Sequence, residues 1–366
     1  MGAVTASFEA DVAARAPADL GLAGERIAQR LESATAAGSL PGGTLIVADS
    51  GGVLLRIAGG WACVVGEMVP TMRETRYDLA SLTKVMATVP LALALAQRGA
   101  WNLDDTLARW LPAFPRPDTT LRALLTHTSG LPAHREFYRL AGGEGVIRPA
   151  VIDEAATELV AGTVCYSDLG YMLLGWAIEE CGGRRLPELF GELVAGPLGM
   201  LATGFVPRRI ERHLTAATEL DGDQRLSPGL VWGEVHDGNA FALGGVAGHA
   251  GLFAPADDVA RFARALLTPD RHPVLSAASL AEMTRYQAGN PPDVRALGWR
   301  LDAGEWGSWP ARTCWHTGFT GTSILVCPEA DLAVVLLLGG VHPVRRLEFV
   351  RQLRQDVHRE LAQSLT

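Results

Sequence analysis

Lys84 is the only lysine in this 366-residue chain; the other residues of the 32 Lys and Arg are arginines. Arginine keeps its proton at any working pH, whereas a desolvated lysine can give one up. A chain that otherwise uses arginine, yet keeps one lysine, points to a position where a neutral amine is needed. Ser81 stands three residues earlier, in Ala80-Ser81-Leu82-Thr83-Lys84. Positions i and i+3 share a helix face. The amine can then reach the hydroxyl and take its proton, which makes Ser81 a candidate nucleophile and Lys84 its base. At a helix N-terminus the dipole would favour the alkoxide and lower the lysine pKa. Plainer readings stand beside this one: Lys84 as a surface cation and Ser81 as an ordinary N-cap.

Two further clusters could serve such a pair. Tyr166-Ser167-Asp168 lies about eighty residues on, at the start of an expected helix. A tyrosine hydroxyl beside the Ser–Lys pair could relay the proton to a leaving group. The alternative is a core tyrosine with Asp168 as N-cap. His316-Thr317-Gly318 comes from a late group of strands, where a strand edge could dock a substrate. The backbone N–H of Phe319, with that of Ser81, could form an oxyanion hole. A plain strand end with an exposed histidine is the other reading.

The elements that must position these residues fall into three stretches. A first helix is expected over about Ala23–Ala37. Gly42–Asp49 and Val53–Ala58 read as strands joined by a Ser50-Gly51-Gly52 turn. A helix from about Ser81 to Arg98 should end at Gly99. From about Leu103 to Ala288 helical segments alternate with Gly/Pro-rich turns, with candidates at Leu121–His127, Val151–Val160, Leu169–Cys181, Leu186–Val194 and Ala256–Leu267. Ala242–Leu252 carries four glycines among small residues, which suggests tight turns and close approach of another segment. Strand signals return at Ala296–Leu301, Thr313–His316, Thr322–Cys327 and Leu332–Leu338. A last helix, about Val344–Ser364, places Phe349, Leu353, Val357 and Leu361 on one face. The expected fold is therefore α+β: an antiparallel sheet built from both chain ends and flanked by helices, with a mostly helical inserted lobe. Residues 1–366 form a single domain in this reading, with an α/β lobe over about 1–102 and 291–366 and a helical lobe over about 103–290.

Composition narrows the function. Hydrophobic residues make up 48% of the chain and the net charge is -8, which suits a large core and argues against nucleic acid as main partner. No run is long enough to span a bilayer, and Met1–Ala13 lacks the features of a secretion signal. The five cysteines form no C-x-x-C pair, so buried thiols in a reducing, cytoplasmic compartment are expected. Neither a metal nor a cofactor is expected: the histidines show no ligand spacing, and no Walker loop or dinucleotide fingerprint is present. Oligomeric state is left open.

Ser81-x-x-Lys84, Tyr166-x-Asp168 and His316-Thr317-Gly318 together resemble the S-x-x-K, Y-x-N and K-T-G motifs of the serine β-lactamase and penicillin-binding-protein superfamily. Order and spacing are most similar to its class C branch, which includes esterases, D-aminopeptidases and D,D-carboxypeptidases. Leu124–Leu131 and Gly244–Gly251 resemble segments of the same branch, and the likeness runs from about residue 25 to 340. It implies a serine hydrolase that forms an acyl-enzyme on Ser81 and cleaves a small-molecule carboxylic ester or small amide. The alternatives are a peptidase or amidase on D-amino-acid or cell-wall fragments, a weak β-lactamase, and a non-catalytic binding or assembly protein on the same fold. Two positions depart from the pattern. His316 replaces a lysine, a change shared by esterases. Asp168 replaces an asparagine, and a carboxylate near Lys84 would stabilise its charge and make it a poorer base.

Overall fold

The computed structural model describes residues 7–157, 161–205, 209–223, 228–301 and 304–365. Ten strands occur among them: β1 (Phe8–Val12), β2 (Gly42–Asp49), β3 (Gly52–Cys63), β4 (Val69–Pro70), β5 (Tyr77–Asp78), β6 (Gly204–Phe205), β7 (Leu252–Ala254), β8 (Cys314–Thr317), β9 (Thr322–Cys327) and β10 (Leu332–Leu338). The main sheet runs β1-β3-β2-β10-β9-β8, with β4 paired to β3. Every pairing is antiparallel. The sheet is thus made from both ends of the chain, joined where β10 lies beside β2.

Strand periodicity explains why this sheet needs helices on both faces. In β2, Leu45 and Val47 point one way and Ile46 and Ala48 the other; in β10, Val334 and Leu336 oppose Ala333, Val335 and Leu337. Alternate side chains take opposite faces, and all of these are buried. One face is covered by α1 (Ala18–Ala36) and α10 (Leu347–Leu365), through Leu20, Ile27 and Leu31 from the first and Val350, Leu353, Val357 and Leu361 from the second. Each such leucine contributes about 1.5–3 kcal/mol by leaving water. Phe349 departs from its expected place: it is exposed, and Val350 takes the inward position.

The remaining helices are α2 (Val89–Gln97), α3 (Leu121–Leu125), α4 (Glu144–Glu154), α5 (Asp168–Gly182), α6 (Leu186–Phe190), α7 (Gly238–Ala242), α8 (Ala256–Leu267) and α9 (Ala277–Thr284). α8 lies on the second face of the sheet through Val259, Phe262 and Leu266. The other helices continue that core away from the sheet, with α2 and α5 at its centre. The expected helix at Val151–Val160 lies earlier, at Glu144–Glu154, and residues 158–160 fall outside the described ones. Ala296–Leu301 is not a strand. Gly298 has φ +76, and a Cβ there would stand 2.7 Å from Val89 and 2.8 Å from the Tyr171 hydroxyl. The run is apolar because it is buried against helices, and it turns instead of extending. Among the described residues no helix is long and apolar enough to cross a membrane.

Candidate active site

The short sheet β5-β7-β6 leads the chain into the site. After β5, Ala80 adopts φ +46, a left-handed conformation costly for a residue with a Cβ. It is held there from both sides. Its N–H donates to Asp78 Oδ1 at 2.8 Å, and its carbonyl accepts from Thr83 N–H at 3.0 Å. Asp78 is buried, accepts the His236 N–H at 2.6 Å, and its carbonyl accepts the Thr320 hydroxyl at 2.7 Å. This turn presents Ser81 ahead of the helical residues.

The expected helix from Ser81 is present, with one irregularity. Lys84–Thr88 is a turn of π-helix, closed by Val89 N–H donating to the Lys84 carbonyl, before α2 begins. Pro90, in the first turn of α2, has no N–H to continue a regular ladder from below. Such wide turns occur often at functional sites. The helix ends at Gly99, with φ +71, where the left-handed conformation favours glycine.

Lys84 is fully buried. Its Nζ stands 3.0 Å from Ser81 Oγ, 2.7 Å from Asp168 Oδ1 and 3.2 Å from the His249 carbonyl, and 4.8 Å from the centre of the Tyr166 ring. Burial disfavours the ammonium, but Asp168 and Tyr166 outweigh it and hold the Lys84 pKa above its usual value. For Asp168, burial would raise the pKa; the Lys84 charge, with a contribution from His134, reverses that and holds the carboxyl below the ordinary range. His134 Nδ1 lies 3.5 Å from Asp168 Oδ2. Asp168 is not the N-cap of α5. Ser167 takes that role, its hydroxyl oxygen accepting the Gly170 N–H at 3.1 Å. Asp168 sits in the first turn, which frees its carboxylate for Lys84.

β8 is the edge strand of the sheet and carries His316, Thr317 and then Gly318 to the rim of the Ser81 cleft. His316 is buried rather than exposed, and its Nδ1 lies 2.9 Å from the Thr317 carbonyl. Burial, then the charges of Lys84 and Arg295, hold it well below its usual pKa, so it is neutral. The ladder ends with Gly318 N–H donating to the Thr322 carbonyl at 2.8 Å. The N–H groups of Phe319 and Ser81 make no hydrogen bond to a described residue. The Phe319 ring stacks with the His236 imidazole, 5.6 Å away, and the Arg345 guanidinium lies over it at 5.4 Å. Glu219 holds both, at 3.0 Å from His236 Nε2 and 2.6 Å from Arg345 Nε.

Gly318 is required by a close approach. A Cβ there would stand 2.1 Å from Thr322 Oγ1 and 2.4 Å from the Leu79 carbonyl oxygen. Gly318→Ala is expected to push β8 away from the Ser81 turn, costing about 1–3 kcal/mol as overpacking does, together with most of the hydrolytic activity. Thermal melting and an ester assay check this; an unchanged melting point and rate would contradict the packing described. The glycine-rich segment makes a similar approach on the other side: a Cβ at Gly248 would meet the Tyr171 carbonyl at 2.1 Å and Gly175 N at 2.9 Å. This brings His249 and its carbonyl against Lys84.

The cleft, about 400 Å³ and open to solvent, contains Ser81, Tyr166, His316, Thr317, Gly318 and Phe319. Four arginines at 295, 300, 351 and 354 also line it. Arg295 and Arg354 are buried, and Arg354 Nε has no hydrogen-bond partner among the described residues. Burial pushes Arg354 down to about 10, which leaves it charged at neutral pH. The sequence alone did not single out these arginines, which reach the cleft from two distant stretches. Among the described residues no group of three His, Cys, Asp or Glu side chains could hold a metal ion.

A Ser–Lys pair at a turn, a tyrosine beside it and a strand edge across the cleft, on an antiparallel sheet with flanking helices, define a serine hydrolase of penicillin-binding-protein type. Comparison with known proteins agrees. The sequence model of the Beta-lactamase family matches residues 27–359, and the chain belongs to that family. It is 30% identical over 362 residues to an N-acetylmuramyl-L-alanine amidase of Bacillus subtilis (strain 168), covering 87% of this chain and 81% of that protein. It is 28% identical over 342 residues to a putative D-alanyl-D-alanine carboxypeptidase of Escherichia coli (strain K12), covering 82% and 79%. Among solved structures it is similar to EstCE1, a hydrolase with promiscuous acyltransferase activity, with a TM-score of 0.73, 25% identity, and coverage of 93% and 99%.

Proposed function

We propose that Ser81 is the nucleophile of an acyl-transfer cycle that hydrolyses a small carboxylic ester or amide, within one catalytic domain formed by residues 1–366. The observation that carries this reading is the 3.0 Å contact between Lys84 Nζ and Ser81 Oγ in an open cleft. Lys84, once neutral, takes the Ser81 proton as the hydroxyl oxygen attacks the carbonyl. The N–H groups of Ser81 and Phe319 receive the developing oxyanion. Tyr166 passes the proton to the leaving group, and water then releases the acyl group with Ser81 regenerated. His316, Thr317 and Gly318 present the strand edge along which substrate lies, and Asp168 sets the charge of Lys84. The five thiols, all unpaired, suit a reducing compartment such as the cytoplasm.

A second reading within the same chemistry is favoured by the four arginines and by the amidase and carboxypeptidase relatives. The substrate is then an amide of D-amino-acid or cell-wall-fragment type that carries a carboxylate. A hydrogen bond to a charged group contributes about 1.5–3 kcal/mol. A carboxylate-bearing substrate should therefore exceed its uncharged isostere in kcat/KM by at least about tenfold, and the ratio should shrink as salt rises. The experiment is labelling with a fluorophosphonate, then hydrolysis of short-chain esters, D-amino-acid amides, muropeptides and nitrocefin, with Ser81→Ala as blank. Absence of labelling at Ser81 in the folded protein would remove the hydrolase reading and favour a binding role on the same fold.

A further inference from the structure

His127 is the fourth residue of the Leu124–Leu131 segment and lies outside the chemistry described so far. It is buried and has φ +59, a conformation that a histidine seldom adopts. Its carbonyl accepts the Cys165 N–H at 2.8 Å, and its Nδ1 accepts the Ser167 N–H at 3.0 Å. Those two amides flank Tyr166 on either side. The His127 ring lies against the Tyr166 ring, with centroids 4.5 Å apart, and against the Tyr171 ring at 5.0 Å. The following residues extend the same lacing: the Ser167 hydroxyl donates to the Pro132 carbonyl at 2.7 Å, and Asp168 N–H donates to the Ala133 carbonyl at 2.8 Å.

An accepting Nδ1 requires a lone pair there, so the imidazole must be neutral with its proton on Nε2. The surroundings enforce this. Burial, then the charges of Arg295, Lys84 and His316, hold its pKa well below the usual value, against a smaller opposing effect of Asp168. A protonated ring would lose the bond to Ser167 N–H. The left-handed backbone serves the same end, because it lets one residue direct both its carbonyl and its side chain at a single neighbouring segment. Tyr166 has few other restraints of this kind. Its other ring neighbours among the described residues are Lys84 Nζ at 4.8 Å, the Arg295 guanidinium at 5.5 Å and His316 at 6.1 Å, and none of them bonds its backbone.

We infer that His127 is the positioning residue for Tyr166: by gripping the amides before and after it and stacking on its ring, it sets the phenol beside Lys84 and Ser81. This rests on the proposed role of Tyr166 in proton transfer. His127 touches no reacting atom and acts only through the tyrosine.

The test uses three substitutions at His127 and one at Tyr166, all in the full-length protein. Asn places Oδ1 where histidine has Nδ1 and tolerates the left-handed backbone, so His127→Asn should restore the grip on Ser167 N–H. Leu keeps the branching but offers no acceptor. Gly accepts the backbone conformation without strain and also offers none, so it serves if the leucine variant fails to fold. Expected are a fall in kcat of at least about thirtyfold for His127→Leu and His127→Gly, with KM within about threefold, and His127→Asn within about fivefold of the parent. In a Tyr166→Phe background, His127→Gly should cost little more, because the two residues act as one unit. An asparagine variant no better than glycine overturns the inference. So do losses that multiply fully in the Tyr166→Phe background, since they would mean that His127 works independently. A Tyr166→Phe protein with parental kcat would overturn the role of Tyr166 itself, and the inference with it. Loss in Tyr166→Phe alongside parental kcat in His127→Gly overturns the inference alone.

Discussion

Lys84→Arg is expected to lower ester hydrolysis by about 10²–10⁴-fold in a protein that remains folded, the usual worth of general-base assistance. The substitution keeps the positive charge, and with it the ion pair to Asp168 Oδ1 that holds the Lys84 end of the site. What it removes is the ability to become neutral. Arginine is also longer, and Lys84 is fully buried between Ser81, Asp168 and the His249 carbonyl. Circular dichroism and thermal melting establish that the variant is folded, and the initial rate on a short-chain ester gives the result. A rate within a few-fold of the parent would falsify the assignment of Lys84 as base and leave it the role of a fixed cation.

Asp168→Asn should move activity and stability in opposite directions. In the parent, Asp168 holds the Lys84 pKa above its usual value, so only a small fraction of Lys84 is neutral near pH 7. Activity in the parent should therefore climb as pH rises toward that pKa. Asparagine removes the countercharge while burial still disfavours the ammonium, so the Lys84 pKa falls. The acid limb of the kcat/KM profile then moves to lower pH. The rate at pH 7 rises with it, because each tenfold weakening of the ammonium's hold on its proton leaves about ten times more neutral Lys84. Stability pays for the change. In the parent, the raised Lys84 pKa contributes stability that is present below the unfolded value of 10.5 and is lost as pH rises through the folded value. The depressed Asp168 pKa contributes stability present above 3.8 and lost as pH falls through its folded value. The pair is thus at full strength across neutral pH. Breaking it should cost about 3 kcal/mol, the lower end for a buried pair, because the Asp168 side chain keeps 19% of its exposure. Denaturant melts at pH 7 measure the cost, and a pH–rate profile measures the gain. A profile that stays in place would mean that neutral Lys84 does not limit the rate.

The parts of the site that were legible in the sequence are those in which spacing alone sets geometry. Ser81 and Lys84 are three residues apart on one helical turn, and the structure places their polar atoms 3.0 Å apart. β2, β9 and β10 were equally legible, because uninterrupted apolar runs bounded by turn residues leave few other choices. Local chemistry misled at Asp168. Ser167 and Asp168 are both good N-caps, and the choice between them depends on Lys84, far earlier in the sequence. It misled again at Ala296–Leu301, where the apolar run is a buried turn set by Gly298 against α2 and Tyr171. His236, Glu219 and the cleft arginines carried no local signal, since their roles come from partners far along the chain. His127 lies in the Leu124–Leu131 segment that resembles the class C branch, directly before Thr128-Ser129-Gly130, but its tie to Tyr166 is made only by the fold.

Asp78 gives the site a mechanical property. Its side chain holds the Ala80 and His236 amides, and its carbonyl holds the Thr320 hydroxyl. The Ser81 turn, the segment that stacks on Phe319 and the loop after β8 are therefore tied together at one buried residue. None of the three can drift alone without leaving a buried polar group unmet. Asp78 thus acts as a shared clasp: parting the two walls at this point breaks its bonds, and a second tie, from the Thr322 hydroxyl to the Leu79 carbonyl at 3.1 Å, lies beside it.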